Sequence, residues 1–260
     1  MKEKLLNDLI KKIFGGTLKE LPLFLYLHNI VTLNTAITGG FGNIKGNIPA
    51  IEKAANFREN VGRFSGAKTY QTVKTLTEAV FMPDGSKLPF AQYKKIARDI
   101  NHNFNTLWLE TERDTVFTQS QNARKELKFE AEKEVFPLVE YKTVADERVR
   151  PSHKKLDGII LPVNDLFWDK NSPQNGYKCR CIKIQHRRGK VTGTKELKER
   201  SGLIDSEFKK DGLFAYNAGK QEYIFKETGK DKHPYFLVGR KAKPELAKNF
   251  GFPDIKTIKE

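Results

Sequence analysis

Residues 141–181, reading YKTVADERVRPSHKKLDGIILPVNDLFWDKNSPQNGYKCRC, constrain this chain more than any other stretch. Pro151, Gly158, Pro162, Asn164-Asp165, Asn171-Ser172-Pro173 and Asn175-Gly176 punctuate it so densely that no long helix or strand can run through it. A block built mainly of turns needs polar contacts or a metal to hold one shape. The same block carries both cysteines of the chain, Cys179 and Cys181. Two thiols cannot form a disulfide framework, and cysteines separated by one residue bridge each other only under strain. A reducing environment or a metal accounts for them more easily.

His153, Cys179 and Cys181 are therefore candidate zinc ligands, since thiolate and imidazole suit that ion; Asp146 is the side chain expected to complete a tetrahedron. The Cys-X-Cys spacing is tighter than that of the standard zinc fingers. A competing reading packs the two thiols as small apolar groups and bonds His153 to a backbone carbonyl. Asp146, Arg148 and Arg150 lie close enough in sequence to build an ion-pair hub that clamps the following loop, or a phosphate site made by the two arginines. Trp168 reads as core rather than as a base-stacking platform. No catalytic set emerges: nothing pairs a nucleophile with an oriented base.

Upstream, helical periodicity dominates. Leu5, Leu6, Leu9, Ile10 and Ile13 give residues 1–14 an amphipathic face, ended by Gly15-Gly16. A second helix starts near Thr17, with Pro22 in its first turns, and stops before the glycines of 39–46, which are read as turn residues. A third begins at Pro49 and breaks at Ser65-Gly66; a fourth covers 67–81, followed by the tight turn Pro83-Asp84-Gly85-Ser86. The longest helix, 90–128, carries an apolar stripe through Tyr93, Ile96, Ala97, Ile100, Phe104, Leu107 and Trp108. Its face then turns polar at Thr111, Thr115, Thr118, Gln119 and Asn122, as at a helix that meets backbone or another chain, or one that is partly solvated. Residues 138–144 and 181–185 read as short strands. Aromatic segments 208–225 and 233–238 read as further short strands. The fold class expected is α+β, a helical N-terminal half followed by a loop-rich small-sheet block. The divisions fall at 1–48, 49–137, 138–186 and 187–260.

The formal net charge of +15 favours a polyanionic partner, nucleic acid first, although the lysines are scattered and match no known nucleic-acid module. The apolar run 21–37 contains His28, Asn29 and Asn34, and its unbroken part is too short to span a bilayer. It is read as a buried helix in a protein with no membrane partner.

Four motifs then stand in order: TVADERVRPSH (143–153), LDG (156–158), DLFW (165–168) and NGYKCRC (175–181). Together they resemble the phage Mu F-like family of minor head proteins. Phe64-Ser65-Gly66-Ala67-Lys68, Leu107-Trp108-Leu109-Glu110-Thr111-Glu112 and Phe214-Ala215-Tyr216-Asn217-Ala218-Gly219 extend the likeness to roughly residues 50–225. The resemblance implies a non-enzymatic minor capsid protein of a tailed phage. Its partners would be the portal, the major capsid protein and phage double-stranded DNA. It would be located in the virion, and in host cytoplasm during assembly. It does not say whether Asp146, Arg148, His153, Cys179 and Cys181 bind metal, fold the loop or dock on a partner. The alternative is a DNA-binding or metal-dependent DNA-processing protein using the basic surface and the His/Cys cluster.

Overall fold

The computed structural model describes residues 3–200 and 212–237. Its elements are α1 (Glu3–Phe14), α2 (Leu23–Phe41), α3 (Ile48–Glu78), α4 (Phe90–His102), a π-helical turn (Asn103–Leu107), α5 (Trp108–Glu132), β1 (Leu138–Lys142), α6 (Pro151–Lys154), β2 (Ile160–Pro162), α7 (Phe167–Asn171) and β3 (Ile182–His186). Two 3-10 turns follow, Gly212–Phe214 and Pro234–Phe236. The protein is α+β, as its periodicities require. Among the described residues no helix is long and apolar enough to cross a membrane.

The chain divides into two units that interleave along the sequence. Among the described residues the first takes 3–35, 58–113 and 233–237; the second takes 36–57, 114–200 and 212–232. In the first, α1 buries four of the five predicted positions, Leu6, Leu9, Ile10 and Ile13, against Leu25, Leu76, Val80, Tyr93 and Ala97, while Leu5 stays exposed. The turn at 83–86 forms as expected, with Asp84 Oδ1 accepting from Ser86 N at 2.9 Å. The π-helical turn interrupts what reads as one helix and carries the buried Asn105. Asn105 Nδ2 donates to Asn101 Oδ1 at 3.1 Å, its Oδ1 accepts from Asn29 Nδ2 at 3.3 Å, and its carbonyl bonds His28 Nε2 at 3.2 Å. Such turns are rare and occur mostly as single-turn bulges within α-helices.

The second unit holds the sheet. Its order is β2-β1-β3, antiparallel throughout, with Val139 opposite Leu161 and Gln185, and Tyr141 opposite Lys183. The alternation of β1 sends Val139 and Tyr141 into a core with Phe129, Leu156, Ile159, Leu161, Val163, Phe167 and Trp168. Trp168 is fully buried, its indole N–H donating to the Pro162 carbonyl at 2.9 Å. It is a core residue. Gly158 adopts φ +76°, open to glycine at little cost, and its N–H reaches the Tyr141 carbonyl at 2.8 Å, so the LDG turn closes back on β1. Asp157 completes that closure, with Oδ1 accepting from Thr143 N at 2.7 Å and Thr143 Oγ1 at 2.9 Å.

Three expectations are corrected. The helix α3 runs through Ser65-Gly66 without a break. A glycine inside a helix costs about 1 kcal/mol relative to alanine, and burial of Phe64, Ala67 and Lys68 on either side outweighs it. The helix α2 extends through Gly39-Gly40 to Phe41 rather than stopping before a glycine loop. There a Cβ on Gly40 would stand 2.5 Å from the Phe117 carbonyl oxygen and 2.6 Å from Ser120 Cβ, so this glycine serves close helix approach. Gly40→Ala is expected to cost about 1–3 kcal/mol, measured by denaturant unfolding; an unchanged midpoint would show that the two backbones part freely. Finally, the described parts of 208–225 and 233–238 hold 3-10 turns and bends where strands were expected. Tyr235 and Phe236 pack their rings against Phe64 of α3, while Phe214 meets Tyr177 and Tyr216 meets Tyr223.

Candidate metal centre

The signature block converges on His153. Arg150 precedes α6, Pro151 opens it, and this single turn points the imidazole inward to 2% exposure. Ring Nε2 donates to the Asn175 carbonyl at 3.1 Å. A carbonyl can only accept, so Nε2 carries a proton, and in the neutral ring Nδ1 keeps its lone pair. Nδ1 faces both sulfurs, at 3.6 Å from Cys179 Sγ and 3.5 Å from Cys181 Sγ. The three donor atoms lie within 4.8 Å of one another, all on buried residues, and form a group able to hold a metal ion.

Outer contacts fix these donors. Asn175 Nδ2 donates to the Tyr141 hydroxyl and to the Asn171 carbonyl, both at 3.2 Å, so one residue orients His153 and Tyr141 together. Tyr141 is fully buried, and burial pushes its hydroxyl well above the ordinary tyrosine range; a hydrogen bond links it to Cys181. The Cys179 thiol is held well below the usual cysteine value, first of all by the hydrogen bond from Cys181. The Cys181 thiol is pushed up because it donates to that thiolate. Two thiols this close release one proton readily and the second only when a cation replaces it.

Asp146, the expected fourth ligand, stands outside this group. Its carboxylate receives Arg180 in a two-pronged bridge, 2.7 Å on each oxygen, at the surface. The Arg180 hydrogen bonds hold the Asp146 carboxyl below its usual range. Arg148 Nε lies 3.7 Å from Asp146, while Arg150 turns away and donates to the Tyr177 carbonyl at 2.8 Å. The clamp thus uses Arg180, which the sequence reading passed over. The period of two could have found it: with Cys179 and Cys181 both inward, the residue between them faces out.

Two further polar clusters were also missed. In the first unit, Lys68 and Glu112 form a fully buried ion pair, and Glu112 Oε1 accepts from the Tyr235 hydroxyl at 3.1 Å. Gln71 holds the Tyr235 and Leu237 carbonyls, and His233 Nδ1 accepts from Tyr235 N at 3.3 Å. In the second unit, Lys183 pairs with Glu126 beneath the Trp168 ring, 5.1 Å from its centroid, and Asn217 Nδ2 donates to Glu126 Oε2 at 3.0 Å. The polar face of α5 meets backbone and hydroxyl partners: Asn122 donates to the Pro173 carbonyl at 2.9 Å and Gln119 to the Tyr216 hydroxyl at 3.3 Å.

Comparison with known proteins agrees with the motifs. The family described as Phage Mu protein F like protein matches residues 90–184. A curated relative, the "Putative capsid assembly protein F" of Escherichia phage Mu, is 38% identical over 48 residues, 18% of this chain and 11% of that protein. The chain therefore aligns with only about a tenth of the relative's length. No solved structure matches. The matched segment runs from the start of α4 to β3 and includes all four signature motifs, so what residues 90–184 show is a match to the Phage Mu F-like family.

Proposed function

We propose that this protein acts in phage head morphogenesis as a non-enzymatic minor capsid component, working with the portal and the major capsid protein on the inner side of the shell. The observation that carries this reading is the family match over 90–184, which spans the whole signature block. The name of the Mu relative, a capsid assembly protein, points the same way. The signature residues support a shape-holding role: Asp146 clamps Arg180, Asp157 closes a turn, and Trp168 fills a core. A formal charge of +15 suits a place beside packaged double-stranded DNA. The test is to delete the gene from the phage that encodes it and to probe purified wild-type heads for the protein. Wild-type heads should contain it, and deletion should give heads of reduced infectivity or DNA content. Wild-type heads lacking the protein would overturn the reading.

Within this role, we assign zinc to the group of His153, Cys179 and Cys181. Two sulfurs and one imidazole are a donor set that zinc prefers over harder cations. The spacing also agrees. Bonds of about 2.3 Å to sulfur and about 2.0–2.1 Å to nitrogen, at a tetrahedral angle, separate those atoms by about 3.5–3.6 Å. The observed separations are 3.5 and 3.6 Å. The metal-side nitrogen is Nδ1, with Nε2 donating to a carbonyl, the arrangement that fixes a ligating histidine. The bound ion would staple α6 to the Cys-Arg-Cys segment entering β3.

A further inference from the structure

The zinc assignment leaves one tetrahedral corner to be filled. No fourth His, Cys, Asp or Glu joins His153, Cys179 and Cys181 among the described residues. Asp146 is held by Arg180. Against the three donors lies a cavity of ≈ 20 Å³, room for about one water-sized occupant. The cavity is only partly enclosed, and its wall includes Arg148 and Arg180, whose side chains are 74% and 40% accessible.

The chemistry of that wall is one-sided. Besides the donors and Val144 and Val149, it consists of Arg148, Arg150, Lys178 and Arg180. Asp146, set against Arg180, offsets one of these four positive charges. A zinc ion bound by two thiolates and a neutral imidazole is formally neutral, so the surrounding cations decide what the last corner prefers. Guanidinium groups favour oxygen anions through charge-assisted hydrogen bonds. Structural zinc sites are closed by four protein ligands, whereas three protein ligands leave a position that water or an added ligand can take.

We propose, resting on the zinc assignment, that the site keeps an exchangeable fourth position facing the cavity, filled by water in the isolated protein and by an oxygen of a small oxyanion when one is supplied. The class is phosphate or carboxylate, and the cationic wall recruits it. Exchange is simple ligand substitution: one zinc–water bond breaks, one zinc–oxygen bond forms, and the water leaves.

The test replaces zinc by Co²⁺ in the full-length protein and follows the visible ligand-field bands. Inorganic phosphate and acetate are titrated separately, with sodium chloride at matched ionic strength as the screening control. The expected result is a saturable band shift with phosphate, acetate or both, and none with chloride. Arg148→Gln/Lys178→Gln should bind cobalt at the same stoichiometry but weaken oxyanion binding roughly 5- to 10-fold, as two exposed charge contacts allow. The relative affinity of phosphate and acetate then says which oxyanion the wall selects. Bands indifferent to both anions, or X-ray absorption showing four donors from the protein itself, would overturn the proposal while leaving the zinc assignment intact. Failure to bind Co²⁺ or Zn²⁺ at one ion per chain would remove the zinc assignment and this proposal together.

Discussion

Lys68→Met, with Glu112 left in place, should cost about 3–5 kcal/mol, the usual penalty for orphaning one member of a buried ion pair. For a chain of this size that corresponds to a fall in melting temperature on the order of 10 °C. The side chains are 0% and 5% exposed, and burial opposes charge on both: it lowers the Lys68 ammonium and raises the Glu112 carboxyl, while each partner's charge pulls the other way. Remove the ammonium and burial is opposed only by the Tyr235 hydroxyl bonded to Glu112. Glu112 then takes up a proton more readily folded than unfolded. A carboxyl raised in the folded state stabilises below its unfolded pKa, and that contribution is lost as pH rises. The deficit of Lys68→Met relative to wild type should therefore shrink towards pH 4 and be full at pH 7. Lys68→Met/Glu112→Leu should recover most of the loss, because apolar pairs of similar volume replace buried ion pairs at little cost. A single variant within about 1 kcal/mol of wild type at pH 7 would mean that water reaches the pair. The Tyr235 hydroxyl on Glu112 and the Gln71 bonds to the Tyr235 and Leu237 carbonyls should loosen with it.

The two halves of that pair show what a sequence displays and what it withholds. Lys68 ends the FSGAK motif and Glu112 ends LWLETE, and both motifs stood out as familiar. Nothing in either says that they meet, because the residues are 44 apart and the contact depends on how two helices pack. Glu126, Lys183 and Asn217 were hidden for the same reason. Local patterns were readable: the face of α1, the alternation of β1, the turn at 83–86 and the return strand β3 all follow from spacing. The strand β2 did not show, since three residues ending in proline carry no period. Gly40 was misread because a glycine placed for helix contact has the same letter as one placed for a turn. At the metal centre, His153, Cys179 and Cys181 were named from chemistry alone, and the structure brings all three together. Their orienting partners, Asn175 and Tyr141, have ordinary side chains whose importance lies only in where they point.

Chelation of the purified protein should destabilise the block around β1, α6 and β3 by on the order of 5 kcal/mol, a part of what structural zinc supplies in small domains. Metal analysis before treatment should give about one zinc per chain, the single ion that one tetrahedral site holds. Trp168 is the natural reporter: it shares a core with Cys179 and Cys181 and is fully buried. The other tryptophan, Trp108, is exposed and can be removed as Trp108→Phe without disturbing that core. Acidification should mimic the chelator, because protons compete with the ion for two thiolates and the imidazole lone pair. Cys179→Ser should reproduce the loss and abolish the chelator response. The alternative makes the opposite forecast. If the thiols only fill space, with His153 satisfied by the Asn175 carbonyl, chelator does nothing and Cys179→Ala/Cys181→Ala costs no more than about 1–2 kcal/mol for two small buried groups. The two accounts share every coordinate of the protein and differ only in whether an ion sits between Nδ1 and the sulfurs. A chelator-sensitive melt of Trp168 decides for zinc, and an insensitive one decides for packing.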